Sequence, residues 1–285
     1  MSRLLRADFS RMFKSLVFKL GILFSVAFAV VMVVARYIDF KVNADIYAQY
    51  ADMSLNANDF IFAGGFFIVF MVAVFKGLFV GADYSDGTIR NKLMIGHRRS
   101  SIYFANYVTC YAATLIFNFA YIITVFVFSL IMFGNAAFNH AHFFVNLGFL
   151  IITSTALVAL FLFFAMLINN KAAASVTLLI LAIAMWFSAM LLTERLAQTE
   201  YFSDIYYVNE EGEVIQDQSV KNPQYLTGIK REIYEFVDDF LPSTQYYQIL
   251  QWNVERPIRF LLCDAAMVIV MTGAGVMIFK RKDLK

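Results

Sequence analysis

Long apolar runs separated by short polar stretches dominate the chain. Six runs carry few or no charged residues, at 20–35, 60–80, 102–133, 143–168, 172–192 and 258–279. A helix needs about 20 such residues to cross the hydrocarbon core of a bilayer, and the first run reaches that length only if residues 16–18 join it and Lys19 extends to the headgroups. The pattern predicts an all-α integral membrane protein with six transmembrane helices, five of them within residues 17–192 and the sixth at 258–279.

A different pattern precedes the first span. Apolar residues recur every three or four positions in residues 1–16, and polar or basic residues take the other faces. The apolar positions are Leu5, Phe9, Met12 and Leu16, and the others are Arg3, Arg6, Ser10 and Lys14. This spacing predicts an amphipathic helix in the membrane interface; the alternative is a basic flank that only sets orientation. A cleaved signal peptide is disfavoured, because the basic region is long and already helical in pattern.

The polar segment at 193–257 separates the fifth span from the sixth. Within it, residues 229–241 carry apolar side chains at helical spacing, and Pro242 cannot continue the helix. The apolar positions are Ile229, Ile233, Phe236, Val237, Phe240 and Leu241. We expect this stripe to fold back onto the mouth of the bundle as a re-entrant or gate-like helix. Asp238 and Asp239 near its C-terminus oppose the helix dipole, so contacts beyond the helix should hold it.

Basic residues indicate the orientation, since they are retained on the cytoplasmic side. Most of the 23 Lys and Arg residues lie before the first span, in the loop 81–101, at Lys171 and in the tail 280–285. These segments share one side if the six spans alternate. The sequence therefore predicts that the N- and C-termini are both cytoplasmic and that the acidic segment 193–257 is external.

Composition agrees with a membrane protein, at 61% hydrophobic and 15% charged residues against about 25% charged in soluble domains. Three charged residues fall within the predicted spans, and two of them, Lys76 and Arg259, lie near span ends. Lys76 can extend to the inner headgroups, whereas Asp264 lies deeper, so we expect it to face the protein interior or a water-filled path. Cys110 and Cys263 are predicted at opposite membrane faces, too far apart for a disulfide.

Signatures of catalysis are missing from the sequence. There is no G-x-x-x-x-G-K-[ST] loop, H-E-x-x-H, G-x-S-x-G or C-x-x-C motif, and the chain cannot hydrolyse ATP by itself. His140 and His142 form an H-x-H without further ligands nearby, so no metal site is expected. We expect no enzyme activity, no cofactor on this chain and no nucleic-acid partner.

The loop 81–101 is the most informative polar segment. Ser85 or Asp86 could cap a short helix in which Ile89, Leu93 and Met94 form one apolar stripe. Glycine at the end of such a pattern terminates a helix, and Gly96 has that place. A short capped helix held between two spans is suited to contact a soluble partner; the alternative is an ordinary positive-inside loop.

A family resemblance supports the partner contact. The resemblance rests on Asp83, Gly87, Thr88, Asn91, Leu93, Gly96 and Arg99, followed by Ile102 and Tyr103. This pattern resembles the loop of ABC-2 type permeases, and the order of an interfacial helix, six spans and an external segment between spans five and six is similar over nearly the whole chain. Two positions depart from the family pattern, since Asp83 stands where Glu is usual and Asn106 where Lys is common.

The resemblance implies the transmembrane subunit of an ABC transporter. Two copies of a separate ATPase would bind ATP and Mg²⁺, a second permease, identical or related, would complete the complex in a bacterial plasma membrane, and membrane lipids would surround it. Export of an amphipathic or antimicrobial peptide, a lipid or a hydrophobic drug is implied. The residues expected to couple to the ATPase are Asp83, Asp86, Gly87, Thr88, Asn91, Leu93, Gly96, Arg98 and Arg99, and those of the external gate are Ile233, Phe236, Val237 and Phe240. The alternatives are a membrane sensor or scaffold and, less favoured because no catalytic pair lies in the spans, an intramembrane enzyme.

Overall fold

The computed structural model describes residues 1–45, 60–133, 140–201, 206–208, 214–216 and 221–282. The helices are α1 (Ser2–Lys14), α2 (Leu16–Val42), α3 (Gly64–Ser85), α4 (Thr88–Met94), α5 (Arg99–Phe133), α6 (His140–Leu167), α7 (Lys171–Leu196), α8 (Gly228–Phe240), α9 (Pro242–Leu250) and α10 (Pro257–Arg281). Two short strands, β1 (Tyr206–Val208) and β2 (Val214–Gln216), pair antiparallel. Six of these helices, α2, α3, α5, α6, α7 and α10, are long and apolar enough to cross a membrane, which confirms the predicted span count for the part of the chain described.

Helices α3 and α6 form the centre of the bundle. About two thirds of the apolar window of each is buried, at 61% and 67%, against 22% for α7 and α10. Helix α3 lies closest to α7, and glycines allow the approach: a Cβ atom on Gly77 would lie 2.5 Å from the Cα of Ser175, and one on Gly81 would lie 2.8 Å from the Cα of Lys171. Packing of small residues is a usual way for membrane helices to bring their backbones together.

Local signals fix where several helices begin. The side chain of Asn170 accepts hydrogen bonds from the amides of Ala172 and Ala173 at the start of α7. Pro242 and Pro257 stand at the first positions of α9 and α10, where proline loses no hydrogen bond.

The N-terminal helix differs from its prediction in two details. It ends at Lys14, where Ser15 is extended, and Leu16 begins α2 with 69% of its surface exposed. Its fully buried side chains are Leu4, Asp8 and Met12, and of the predicted set Met12 is among them while Leu5 and Phe9 are partly buried against the core. The reason is that a buried ion pair at Asp8 turns this face of the helix toward the protein.

The bundle has two ends, which we call the α4 end and the α8 end. Helices α1 and α4, the start of α5 and the end of α10 meet at the α4 end, where Arg99 contacts the backbone of Phe279. Helices α8 and α9 and the start of α10 meet at the other end, where Arg256 contacts Asp239. The two charged clusters described below lie at these ends.

Candidate functional site

The end of α4 is fixed by Gly96. The amide of Gly96 donates to the carbonyl of Leu93 at 2.9 Å, and that of His97 donates to the carbonyl of Lys92 at 3.1 Å. This pair of bonds is a Schellman motif, and it requires the left-handed φ of +93° that Gly96 adopts. The prediction that Gly96 ends the helix is confirmed.

The start of α4 differs from the prediction. Helix α3 continues through Ser85, and the cap of α4 is Gly87 with a φ of +67°, so the predicted cap at Ser85 or Asp86 is wrong. No side-chain cap bond forms at this position. Helix α4 begins almost directly after α3 ends, so the chain has to turn sharply at Gly87. Glycine adopts the positive φ of this turn without strain, and the turn forms without a capping side chain.

Helix α4 buries one side and exposes the other. Ile89 is 1% exposed and Leu93 is packed against the core, as predicted. Met94, which was expected to share their stripe, is instead 77% exposed, and Ile95 beside it is 78% exposed. The buried stripe does not extend to Met94, because the helix ends there and the Schellman turn directs the chain away from the bundle. Two neighbouring apolar side chains therefore project from the α4 end.

Positive charge flanks this apolar pair. Arg90 and Arg98 are exposed on either side of Met94 and Ile95, and Asn91 is exposed between them. Among the described residues, neither arginine has a carboxylate within salt-bridge distance. We call the surface formed by Arg90, Asn91, Met94, Ile95 and Arg98 the α4 knob.

A buried ion network holds the α4 knob in place. The Asp83 carboxylate at the end of α3 is fully buried and accepts hydrogen bonds from the guanidinium of Arg11 in α1. Lys92 of α4 donates to Asp8 of α1 at 2.7 Å and lies 3.5 Å from Asp83. The Arg11 guanidinium also lies 4.0 Å from the centroid of the Phe79 ring. These contacts join α1, α3 and α4 into one unit.

Burial affects the two cations of this network in the same direction. It lowers the pKa of the Arg11 guanidinium and of the Lys92 ammonium, because removal from water disfavours the charged form. The nearby Asp8 carboxylate opposes both shifts. Removal of the Asp8 carboxylate would therefore disfavour the charged form of both cations.

Arg99 belongs to a second contact at the same end. Its guanidinium donates to the carbonyl of Phe279 at 2.9 Å and to that of Lys282, so it caps the free carbonyls at the end of α10. Lys282 in turn donates to the carbonyls of Met166 and Leu167 at 2.6 and 2.8 Å. The start of α5 and the ends of α6 and α10 are thus tied together beside the α4 knob.

The predicted coupling residues divide into four groups. Asp83 and Leu93 point into the protein, and Arg99 caps α10. Gly87 and Thr88 are half-buried at the turn. The exposed ones, available to a partner, are Asp86, Asn91, Gly96 and Arg98. Sequence reasoning missed Asp8, Arg11 and Lys92, although the single carboxylate of the basic N-terminal helix was a usable signal.

Lys76 does not reach the headgroups, so its predicted role is wrong. Its side chain is fully buried in α3, and its ammonium donates to the carbonyl of Val158 in α6 at 2.6 Å. The ring of Phe161 lies 5.9 Å from the same nitrogen. Because α3 is the central helix, the side chain has no path to the bundle surface.

Asp264 faces the protein interior, as predicted, with 1% of its surface exposed. One carboxylate oxygen accepts from the hydroxyl of Thr153 at 3.4 Å, and the other has no partner in the described structure. A hydrogen-bonded group lies nearby, in which the hydroxyls of Tyr246 and Ser154 are 2.9 Å apart and Asn118 lies 3.5 Å from Ser154. This polar region lies between α5, α6, α9 and α10, away from lipid.

The external helix predicted at 229–241 is observed as α8, Gly228–Phe240, but its apolar stripe does not cover the bundle. Ile229, Ile233 and Phe236 are 75%, 55% and 51% exposed. Val237 and Phe240 are half-buried. The prediction that this stripe packs onto the chain's own mouth is therefore wrong.

The charged side of α8 is what contacts the bundle. Asp238 and Asp239 are buried, and Asp239 accepts hydrogen bonds from Arg256 at 2.8 Å and from Arg259. Gln248 of α9 donates to Asp238 at 2.7 Å. These bonds supply the contacts beyond the helix that the unfavourable dipole position of the two aspartates required.

The element inserted into the bundle is α9. Thr244, Gln245 and Tyr246 are fully buried, as is Ile249, and α9 packs against α3, α6 and α7. The Tyr246 ring fills the space above Gly65, where a Cβ atom would lie 2.5 Å from it. Within this segment, α9 rather than residues 229–241 is thus the part that packs inside the bundle.

The buried carboxyl of Asp238 makes the attachment of α8 to the bundle depend on pH. Burial, then the neighbouring Asp239 carboxylate, raises the pKa of Asp238 to about 6, while Gln248 and Arg256 oppose the shift and Glu255 adds to it. A raised carboxyl pKa means that the folded state binds more protons than the unfolded state, so stability falls as pH rises from about 4 through about 6.

We expect the free energy of unfolding to decrease between pH 4 and pH 6 by up to roughly 2 kcal/mol through this group. Denaturation by sodium dodecyl sulfate in mixed micelles measures the change. Asp238→Asn should show a shallower pH dependence than the parent chain, and equal slopes would contradict the assignment.

Neither a family model nor a curated protein matches the chain. Among the described residues, no group of three or more His, Cys, Asp or Glu side chains could hold a metal ion.

Proposed function

We propose that this chain is the membrane-spanning permease subunit of an ABC-2 type ABC transporter, driven by an ATPase on a separate polypeptide. The observation that carries the proposal is the α4 knob, an exposed apolar pair flanked by arginines on a short helix between two membrane-length helices. Exposed apolar side chains at the tip of a loop are suited to a groove on a partner protein. The arginines favour a groove with an acidic rim.

The ion network suits the α4 knob to transmit motion. A partner that pulls on α4 acts directly on α3 and on α1, because Lys92 and Arg11 link the three helices through Asp83 and Asp8. Helix α5 begins within a few residues of α4. Closing and opening of the ATPases could therefore rearrange the helices without unfolding the loop.

The distribution of basic residues supports a cytoplasmic α4 end. Arg3, Arg6, Arg90, Arg98 and Lys171 lie there, and the acidic segment lies at the other end. Under the positive-inside rule both termini are then cytoplasmic, α1 lies at the inner interface, and ATP and Mg²⁺ bind the partner on that side.

Export of an amphipathic peptide, a lipid or a hydrophobic drug is the transport reaction we propose. We propose that the substrate passes near the buried polar region around Asp264 and Tyr246, against which α9 packs. A second permease subunit in the bacterial plasma membrane would complete the path.

Co-purification from the native membrane tests the proposal. The chain should bring down a protein that binds and hydrolyses ATP, and nucleotide-dependent labelling of that protein should identify it. A stable complex that contains no ATPase would instead support a sensor or scaffold. Turnover of a substrate by the purified chain alone would support an enzyme.

A charge placed in the α4 knob sharpens this test. Ile95→Asp should abolish recovery of the ATPase, because it places a carboxylate in the apolar contact. The control is Ser85→Asp, which adds the same charge at an exposed position of the same loop outside the α4 knob. Equal recovery with both variants would place the partner contact elsewhere.

A further inference from the structure

A recess opens at the α4 end between α1, α3 and the start of α7. It has a volume of about 730 Å³, and its polar lining includes Ser10, Arg11, Lys14, Thr88 and Lys171. Because Lys14 is the last residue of α1 and Lys171 the first of α7, the recess lies where membrane-length helices meet the polar region.

A second recess of about 640 Å³ adjoins the first and is lined mostly by apolar atoms. Leu78 and Lys171 line both recesses, so the two are continuous along the surface between α3 and α7. Val176 also lines the second recess, further along α7 than Lys171, and is 57% exposed. Apolar atoms form most of the lining of both recesses, but the first also carries the charged side chains, and we call it the polar compartment.

The cations of the polar compartment are available to a ligand. Lys14 and Lys171 are exposed, and in the described part of the chain no carboxylate lies within salt-bridge distance of either ammonium. The charge of Arg11 is already neutralised by Asp83. Asp86 lines the compartment and subtracts one charge, which leaves the site net positive.

We infer that this recess binds an anionic phospholipid. The phosphate would lie between Lys14 and Lys171, with the hydroxyls of Ser10 and Thr88 as further donors, and an acyl chain would follow Leu78 and Val176. Basic pockets between membrane helices are suited to anionic headgroups. A free phosphate would neutralise the lysines but leave the apolar recess empty. A zwitterionic lipid would fill the recess but bring no net negative charge to the lysines.

Lipid retention by the purified full chain tests the site. The protein is transferred to nanodiscs of phosphatidylcholine alone or phosphatidylcholine with a minority of phosphatidylglycerol, and lipids that remain after return to detergent are weighed by native mass spectrometry. The parent chain should retain phosphatidylglycerol in preference to phosphatidylcholine. Loss of two lysine contacts in Lys14→Gln/Lys171→Gln should weaken retention roughly tenfold or more.

The control is Lys19→Gln/Lys280→Gln, which removes two exposed lysines near the same end without touching the recess. It should change retention less than twofold. If the double recess variant does not fold, each single variant should show about a threefold loss.

Equal retention of phosphatidylcholine, or an equal loss in recess and control variants, would overturn the proposal. Stabilisation of the parent chain by inorganic phosphate as strong as that by phosphatidylglycerol would show a free-anion site instead. Since no ATPase is present, the result is independent of the proposed transport function.

Discussion

Asp83→Asn is expected to lower the free energy of unfolding by about 3 kcal/mol, the cost of breaking a buried ion pair. The substitution removes the carboxylate between Arg11 and Lys92, and leaves Asp8 as the single anion for both cations. Arg11 is 30% exposed at its side chain, so water relieves part of the penalty. Denaturation by sodium dodecyl sulfate in mixed micelles measures the loss.

Asp86→Asn is the matched control for this experiment. Asp86 is a carboxylate three residues further along the chain, but it is exposed and makes no described ion pair. Its substitution should change stability by less than about 0.5 kcal/mol. If the two variants lose equal stability, Asp83 does not hold the three helices together in the way the structure indicates.

Asp239→Asn is expected to release α8 from the bundle. The Asp239 carboxylate forms ion pairs with Arg256 and Arg259. When this carboxylate is lost, Arg256 keeps Glu235 and Glu255 as its partners among the described residues. A loss of about 2 kcal/mol in this partly exposed cluster corresponds to roughly 30-fold faster amide hydrogen exchange across α8. Exchange in the six long helices should stay near that of the parent chain.

Glu232→Gln provides the comparison for α8. Glu232 lies on the exposed side of the same helix, away from the arginines. Its exchange pattern should match the parent chain, since no buried contact is removed. Unchanged exchange in Asp239→Asn would mean that the apolar residues of α8, rather than its aspartates, attach it.

The features that could be predicted from sequence are those set by neighbouring residues. Apolar length identified the six spans, and the helical period placed α8 within one residue of its observed start and end. Gly96 was recognised because a Schellman turn needs a glycine at that place. The cap at Gly87 was not, since it depends on how far α3 continues.

The ion network could not be read from local pattern. Arg11 and Asp83 are 72 positions apart, and Asp8 and Lys92 are 84 apart. Nothing in the spacing of either segment shows that α1 lies against α3 and α4. Asp8, a lone carboxylate on a basic helix, carried the one local hint that this face contacts a cation.

Two errors share a cause, which is that burial is a property of the assembled bundle. Lys76 was expected to extend to the headgroups, but α3 is central and every path is blocked. The stripe with Ile233 and Phe236 was expected to pack inward, but the bonds of Asp239 to Arg256 turn the opposite side of α8 toward the bundle. A long-range ion pair decided the orientation that hydrophobic pattern alone left open.

The proposed contact between the α4 knob and an ATPase on the cytoplasmic side can be tested directly. One variant carries a photo-crosslinking residue at Ile95, and a control variant carries it at Phe236 on the exposed side of α8. Both are crosslinked in native membranes. We expect position 95 to form an adduct that contains an ATP-hydrolysing protein and changes in yield with ATP, and position 236 to form no such adduct. Adducts from position 95 that contain no nucleotide-binding protein would contradict it.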